Sequence, residues 1–177
     1  MRFNSLIAGA KSVSPNAKVV FNGAAESGAE ADSKMADFIT RGIKFNVFDA
    51  CGSTQSLGGI SAMQAAGLAG AVNKAPQHVF VMSQDATPPE LQLLWNKNSA
   101  EMVATLAPPK NAAQDAVNLM LPQLTGKLPV ASNATGVMEW IPILANCKQY
   151  RAEVVTQFYG VPGFKVPACS FAYSGQY

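Results

Sequence analysis

The chain has 177 residues, 49% of them hydrophobic and only 14% charged, with a net charge of +2. That length supports one good core, or a core plus an appendage, and falls short of two full domains. The apolar content argues against disorder, and no apolar run reaches the roughly 18 residues of a membrane helix. The basic residues are scattered, so no nucleic-acid footprint exists.

Taken in chain order, Arg2–Val13 carries Phe3, Leu6, Ile7, Ala10 and Val13 at helix spacing, and Ser14-Pro15-Asn16 stops it. Lys18–Phe21 is a short β-branched run that reads as a strand. Glu30–Thr40 is helical, with Ala31, Met35, Phe38 and Ile39 on one face and Arg41-Gly42 at its end. Phe45–Asp49 reads as a strand, Ser56–Gly67 as a small-residue helix, and Val79–Ser83 as a strand. Pro88–Asn96 is a helix with proline in its first turn, where the missing N–H costs little. Met102–Leu106 is a strand, and Ala112–Leu124 is a helix with Ala113, Ala116, Val117, Met120, Leu121 and Leu124 in register. Beyond Gly126 prolines recur among aromatics; there Met138–Leu144 reads as an edge strand and Lys148–Thr156 as a short helix.

Strands alternating with helices predict an α/β fold, an open parallel sheet with helices on both faces over 1–127. Residues 128–177 form an irregular Pro/aromatic-rich extension packed on it. Ligands in such sheets bind at the carboxyl edge of the strands. That edge comprises residues 22–28, 49–56, 84–87 and 107–111.

In VFVMSQDATPPELQ (79–92) an apolar strand delivers Gln84 and Asp85 to a turn followed at once by a helix. A carboxylate there can accept hydrogen bonds from ligand hydroxyls or amines; the competing role is capping of the next helix by Asp85 or Thr87. In ACGSTQSLGG (50–59) glycines and hydroxyls leave backbone N–H groups at a helix start, which suits a polar ligand. It fits neither the Walker pattern nor GxGxxG. Cys51 reads as a small buried hydrophobe or, alternatively, as a nucleophile in a small flavodoxin-like enzyme, with His78 as its only possible histidine base. Asp49 ends its strand and either faces the same edge or bonds loop backbone. Glu26, Glu30 and Asp32 read as helix-start charges, and Trp95 and Trp140 as packing residues. No metal set or cofactor is expected, since the cysteines lack zinc spacing. Cys147 and Cys169 can pair, which suits an oxidising compartment.

The order of segments resembles the second lobe of type I periplasmic binding proteins, which serve ABC importers of sugars and related solutes. RFNSLIAGAKSVSPNAKVVFNGAAESGAEADSKMADFITRG is similar to the stretch that opens that lobe. LGGISAMQAAGLAG resembles its G-x-x-x-A-x-x-x-A-G helix, and VFVMSQDATPPELQLL its D-x-T-P-E segment. MVATLAPPKNAAQDAVNLMLPQLTGK resembles the T-V-A-Q-x-P helix that follows. The likeness covers about residues 2–127. It implies non-catalytic binding of a small polar, sugar-like solute, with Asp85 at the family's ligand-binding aspartate. It further implies that Gln84, Ser53, Thr54, Asn22 and Cys51 line the cleft. Three departures stand out: Cys51-Gly52 replaces Asn-Asp, Pro108-Pro109 follows Ala107 where the glutamine is expected, and Gln114 replaces a glycine.

The resemblance also implies a membrane permease as partner and a periplasmic or secreted location, although MRFNSLIAG carries no export signal. The family's first lobe has no counterpart, so the chain reads as a fragment. The apolar stripe of Ala112–Leu124 would then be covered by the extension or by a second copy in a homodimer. The same lobe serves as the effector domain of some transcription repressors, but no helix-turn-helix is present in these residues.

Overall fold

The computed structural model describes residues 2–69, 79–95, 101–106, 109–127, 141–144, 147–158 and 165–166. In chain order the elements are α1 (Arg2–Val13), α2 (Gly28–Thr40), β1 (Val47–Asp49), α3 (Ser53–Ala65), β2 (Phe80–Gln84), α4 (Pro88–Leu94), β3 (Glu101–Leu106), α5 (Pro109–Leu124), β4 (Ile141–Leu144) and α6 (Cys147–Phe158). The sheet order is β1-β2-β3-β4. The first three strands are parallel, with Phe48 opposite Val81 and Ser83 opposite Ala104. β4 joins β3 as an antiparallel edge, placing Ile143 opposite Ala104.

One expected strand does not form. Lys18–Phe21 lies outside any helix or strand, with Val19 and Val20 about half exposed. The anchor of this run, Phe21, is drawn onto Phe38 of α2 with ring centroids 4.8 Å apart. Among the described residues its backbone joins no ladder, and the parallel part of the sheet has three strands where four were expected. The Cys169 partner proposed for Cys147, together with His78 and Trp140, lies outside the described residues.

Local chemistry sets the helix ends. Ser27 accepts the Glu30 N–H at 3.1 Å, and Glu30 in return accepts the Glu26 N–H at 2.8 Å, a reciprocal arrangement that starts α2 two residues before the apolar periodicity does. Lys34 fastens the preceding loop by donating to the Ala24 carbonyl while pairing with Glu30. Gly42, at a φ of 71°, carries the chain out of the helix.

Strand alternation sends Phe48, Val81, Ser83, Ala104 and Leu106 to one side of the sheet, where α3, α4 and α6 meet it. One cluster there joins Met35, Phe38, Ile60 and Met63 to Val79 and Val81. A second joins Leu91, Leu94 and Trp95 to Ala104, Leu106 and Val154 of α6, so Trp95 is a core residue as expected. Val47 and Phe80 alternate to the opposite side and are exposed. Exposed too is the apolar stripe of α5, from Val117 through Met120 and Leu121 to Leu124.

Two adjacent glycines let α2 and β1 meet on α3. A Cβ on Gly58 would stand 2.1 Å from the Gly28 carbonyl oxygen of α2, and one on Gly59 would stand 2.5 Å from the Phe48 ring of β1. The first clash is with backbone, which cannot swing aside as a side chain can. We expect Gly58→Ala to cost about 3 kcal/mol in urea unfolding. A loss below about 0.5 kcal/mol would show that α2 does not press on α3 as described.

Asp49 closes β1 half-buried, with no hydrogen bond to its carboxylate among the described residues. Burial pushes its carboxyl up from 3.8 to about 6. The folded chain thus holds this proton more tightly than the unfolded chain. Its stabilising contribution is full below about pH 4 and is lost as pH rises through about 6. Asp49→Asn should remove that slope, gaining about 1–2 kcal/mol on wild type between pH 4 and 7 once partial exposure is allowed for. Parallel pH profiles of the two proteins would refute the assignment.

Candidate functional site

The carboxyl ends of β1 and β2 lead into the two segments singled out from the sequence. After Gln84 the chain takes two successive residues at positive φ, Asp85 at 89° and Ala86 at 50°. Neither is glycine, so the turn stores strain that its surroundings must hold. Two contacts hold it: the Asp85 N–H donates to the Thr105 carbonyl of β3 at 2.8 Å, and Ala86 is fully buried beside Leu91, Trp95 and Ala104. The bend turns the Asp85 carboxylate toward α3, where Oδ2 accepts the Ser53 N–H at 3.2 Å.

That bond explains why α3 begins at Ser53, three residues before the sequence pattern suggests. Its N-cap is Gly52, which has no side chain to close the first turn. Asp85, 32 residues further on, supplies the acceptor. Gly52 also leaves room for the approach, since a Cβ there would stand 3.4 Å from Asp85 Oδ2 and 2.9 Å from Gln55 Oε1. The two readings of Asp85 and Thr87 therefore divide. Thr87 caps the next helix, α4, and Asp85 caps α3.

Behind this pair lies a residue that the sequence reading passed over. Glu90 is fully buried, and its Oε2 accepts the Thr87 N–H at 2.8 Å and the Thr87 hydroxyl at 3.1 Å. The Thr87 and Ser53 hydroxyl oxygens are 2.5 Å apart. Burial raises the Glu90 carboxyl above its ordinary range, opposed by hydrogen bonds from Ser83, from the Thr87 N–H and from the Ser53 and Thr87 hydroxyls. The signal was present in Thr87-Pro88-Pro89-Glu90, a threonine followed three places later by glutamate at a helix start.

The remaining candidates are spread along the same edge. Thr54 is exposed on the first turn of α3, against Gly28 of α2. Gln55 donates to the Ala25 carbonyl at 3.0 Å and so ties the loop before α2 to this turn. Gln84 is half-buried and pairs with Thr105 in the ladder. Asn22 is exposed and makes no hydrogen bond to Ser53 or Asp85 among the described residues. Cys51 is exposed and outside any disulfide, which corrects its reading as a buried hydrophobe; it stands one residue ahead of the helix cap, where the chain has already left the sheet. Ala107 lies outside the described residues, and Asn111 is exposed on α5. Among the described residues no cluster of His, Cys, Asp and Glu could hold a metal, and no helix is long and apolar enough to cross a membrane.

No protein-family model matches the chain, and no curated protein matches its sequence. Solved structures do match. A galactofuranose binding protein is 17% identical with a TM-score of 0.64, the match covering 82% of this chain and 47% of that one. An ABC transporter solute binding protein from Bacillus halodurans, with bound myo-inositol, is 19% identical with a TM-score of 0.63, over 83% of this chain and 48% of that one. A third, from Agrobacterium vitis with bound allitol, is 16% identical with a TM-score of 0.65, over 86% of this chain and 51% of that one. The chain spans about half the length of these structures. It has the open α/β fold of one half of an ABC-transporter solute-binding protein.

Proposed function

We propose that the chain is a non-catalytic recognition lobe for a small polyhydroxylated solute, the C-terminal half of a two-lobed binding protein that delivers its solute to an ABC permease. The carrying observation is Asp85: Oδ2 is committed to Ser53, while among the described residues nothing engages Oδ1. A fixed carboxylate oxygen at the carboxyl edge of a parallel sheet is an acceptor for a solute hydroxyl. Gln84, Ser53 and Thr54 stand beside it as further polar contacts, with Asn22 and Cys51 on the flanking loops. The sugars and polyols named for the similar structures support this solute class, and the periplasmic binding proteins among them support a periplasmic or secreted location. The exposed α5 stripe of Val117, Met120, Leu121 and Leu124 supports a homodimer of this chain through that face.

Thermal unfolding with millimolar pentoses, hexoses, cyclic and linear polyols tests the recognition role. Solute that binds only the folded form stabilises it by about 3 kcal/mol at a hundred times its dissociation constant. One class should raise the midpoint by several degrees, and Asp85→Ala should abolish the shift while costing about 1 kcal/mol of stability through the lost α3 cap. A shift that survives in Asp85→Ala, or none with any solute, overturns the assignment. For the dimer, sedimentation should give twice the 18.6 kDa chain mass. Leu121→Glu should return it to the monomer; a monomeric wild type refutes this face as an interface.

A further inference from the structure

A glutamate at the third position of a helix usually closes its capping box at the surface, where the carboxylate keeps its water. Glu90 closes the box fully buried, and a buried carboxylate must be compensated by donors. The hydrogen bonds to Oε2 come from Thr87, at the turn before α4, whose hydroxyl in turn meets that of Ser53 at the start of α3, while Oε1 is buried with no partner among the described residues. The Thr87 hydroxyl donates to Oε2 and shares the 2.5 Å contact with the Ser53 hydroxyl, in which either group can be the donor. Ser53 is thereby held at both of its polar groups, the hydroxyl toward Thr87 and the N–H toward Asp85 Oδ2.

We propose that Glu90 is the positioning residue of the recognition edge: it holds Thr87, Thr87 holds Ser53, and Ser53 fixes the carboxylate of Asp85. This deepens the reading of Asp85 as the solute contact, and its test needs no solute. Glu90 touches nothing outside the protein. It acts by joining the β1–α3 and β2–α4 loops into one unit, so that the outer oxygen of Asp85 keeps its direction although the turn that bears it is strained.

Amide hydrogen exchange of the Ser53 N–H reads the link directly, because that group lies at the first position of α3 and its acceptor among the described residues is Asp85 Oδ2. Exchange is followed in the full chain for wild type, Glu90→Ala, Glu90→Gln and Thr87→Val, with the core amides of Val81 and Ile60 as references. In Glu90→Ala and Thr87→Val, Ser53 protection should fall about tenfold further than protection at the reference amides. Glu90→Gln retains an acceptor for the Thr87 N–H and should keep Ser53 within about twofold of wild type. Ser53 falling only in step with the core overturns the proposal, because that marks a merely structural glutamate. Equal behaviour of Glu90→Gln and Glu90→Ala overturns it too. Should Glu90→Ala fail to fold, Thr87→Val decides alone, since it removes the relay hydroxyl and leaves the buried acid in place. A chain that responds to no sugar but shows this exchange pattern would retain the positioning role and lose only the solute reading.

Discussion

Two helices, α3 and α4, begin at the same edge of the sheet, and a single connected set of side chains closes both first turns. Helix starts leave unpaired N–H groups that must find acceptors. In most helices the acceptor is the residue immediately before, so each helix solves the problem alone. Here α3 opens on Gly52 and borrows Asp85 from the neighbouring loop, while α4 relies on Glu90, whose partner Thr87 reaches back to Ser53. The strained turn at Asp85 and Ala86 accompanies this sharing, since the residue that bears the carboxylate meeting α3 is the first of the two at positive φ. Removing any one member leaves a buried or half-buried polar group without its partner, which is costlier than losing an exposed bond.

The edge can be that exact only because the layer beneath it is closely packed. Gly58 and Gly59 bring α2 and β1 against α3 at distances that exclude even a methyl group. The first turn of α3 therefore cannot drift relative to β1, and Gln55, bonded to the Ala25 carbonyl, carries the same constraint to the loop before α2. On the far side, α4 is seated by Leu91, Leu94 and Trp95 against β3 and Val154. Rigid elements thus flank the polar cluster on both sides and hold its orientation.

Most elements were legible because periodicity and punctuation agreed. The α2 start was marked by Ser27 and Glu30, its end by Gly42, and the strands of the sheet interior by short apolar runs between turn residues. Lys18–Phe21 misled because β-branched content reports compatibility with a strand, while a ladder needs a neighbour in reach; Phe21 found Phe38 instead. The start of α3 was placed late because its cap lies 32 residues away, where no local pattern can indicate it. Asp85 was legible as a residue of the edge, and its double attachment was not. Glu90 was hidden by a sound local rule, since a threonine and a glutamate three apart announce a cap without saying that the cap is buried.

The backbone at position 85 restricts what descendants of this chain can explore. A φ of 89° is tolerated by glycine, asparagine and aspartate and resisted by β-branched or bulky side chains. Drift in side-chain chemistry at this edge is therefore channelled away from residue 85 itself. It falls on positions with ordinary backbone, such as Thr54 on its helix and Gln84 in its strand. The geometry of one turn acts in this way as a ratchet on divergence, restricting residue 85 while its surroundings remain open to change.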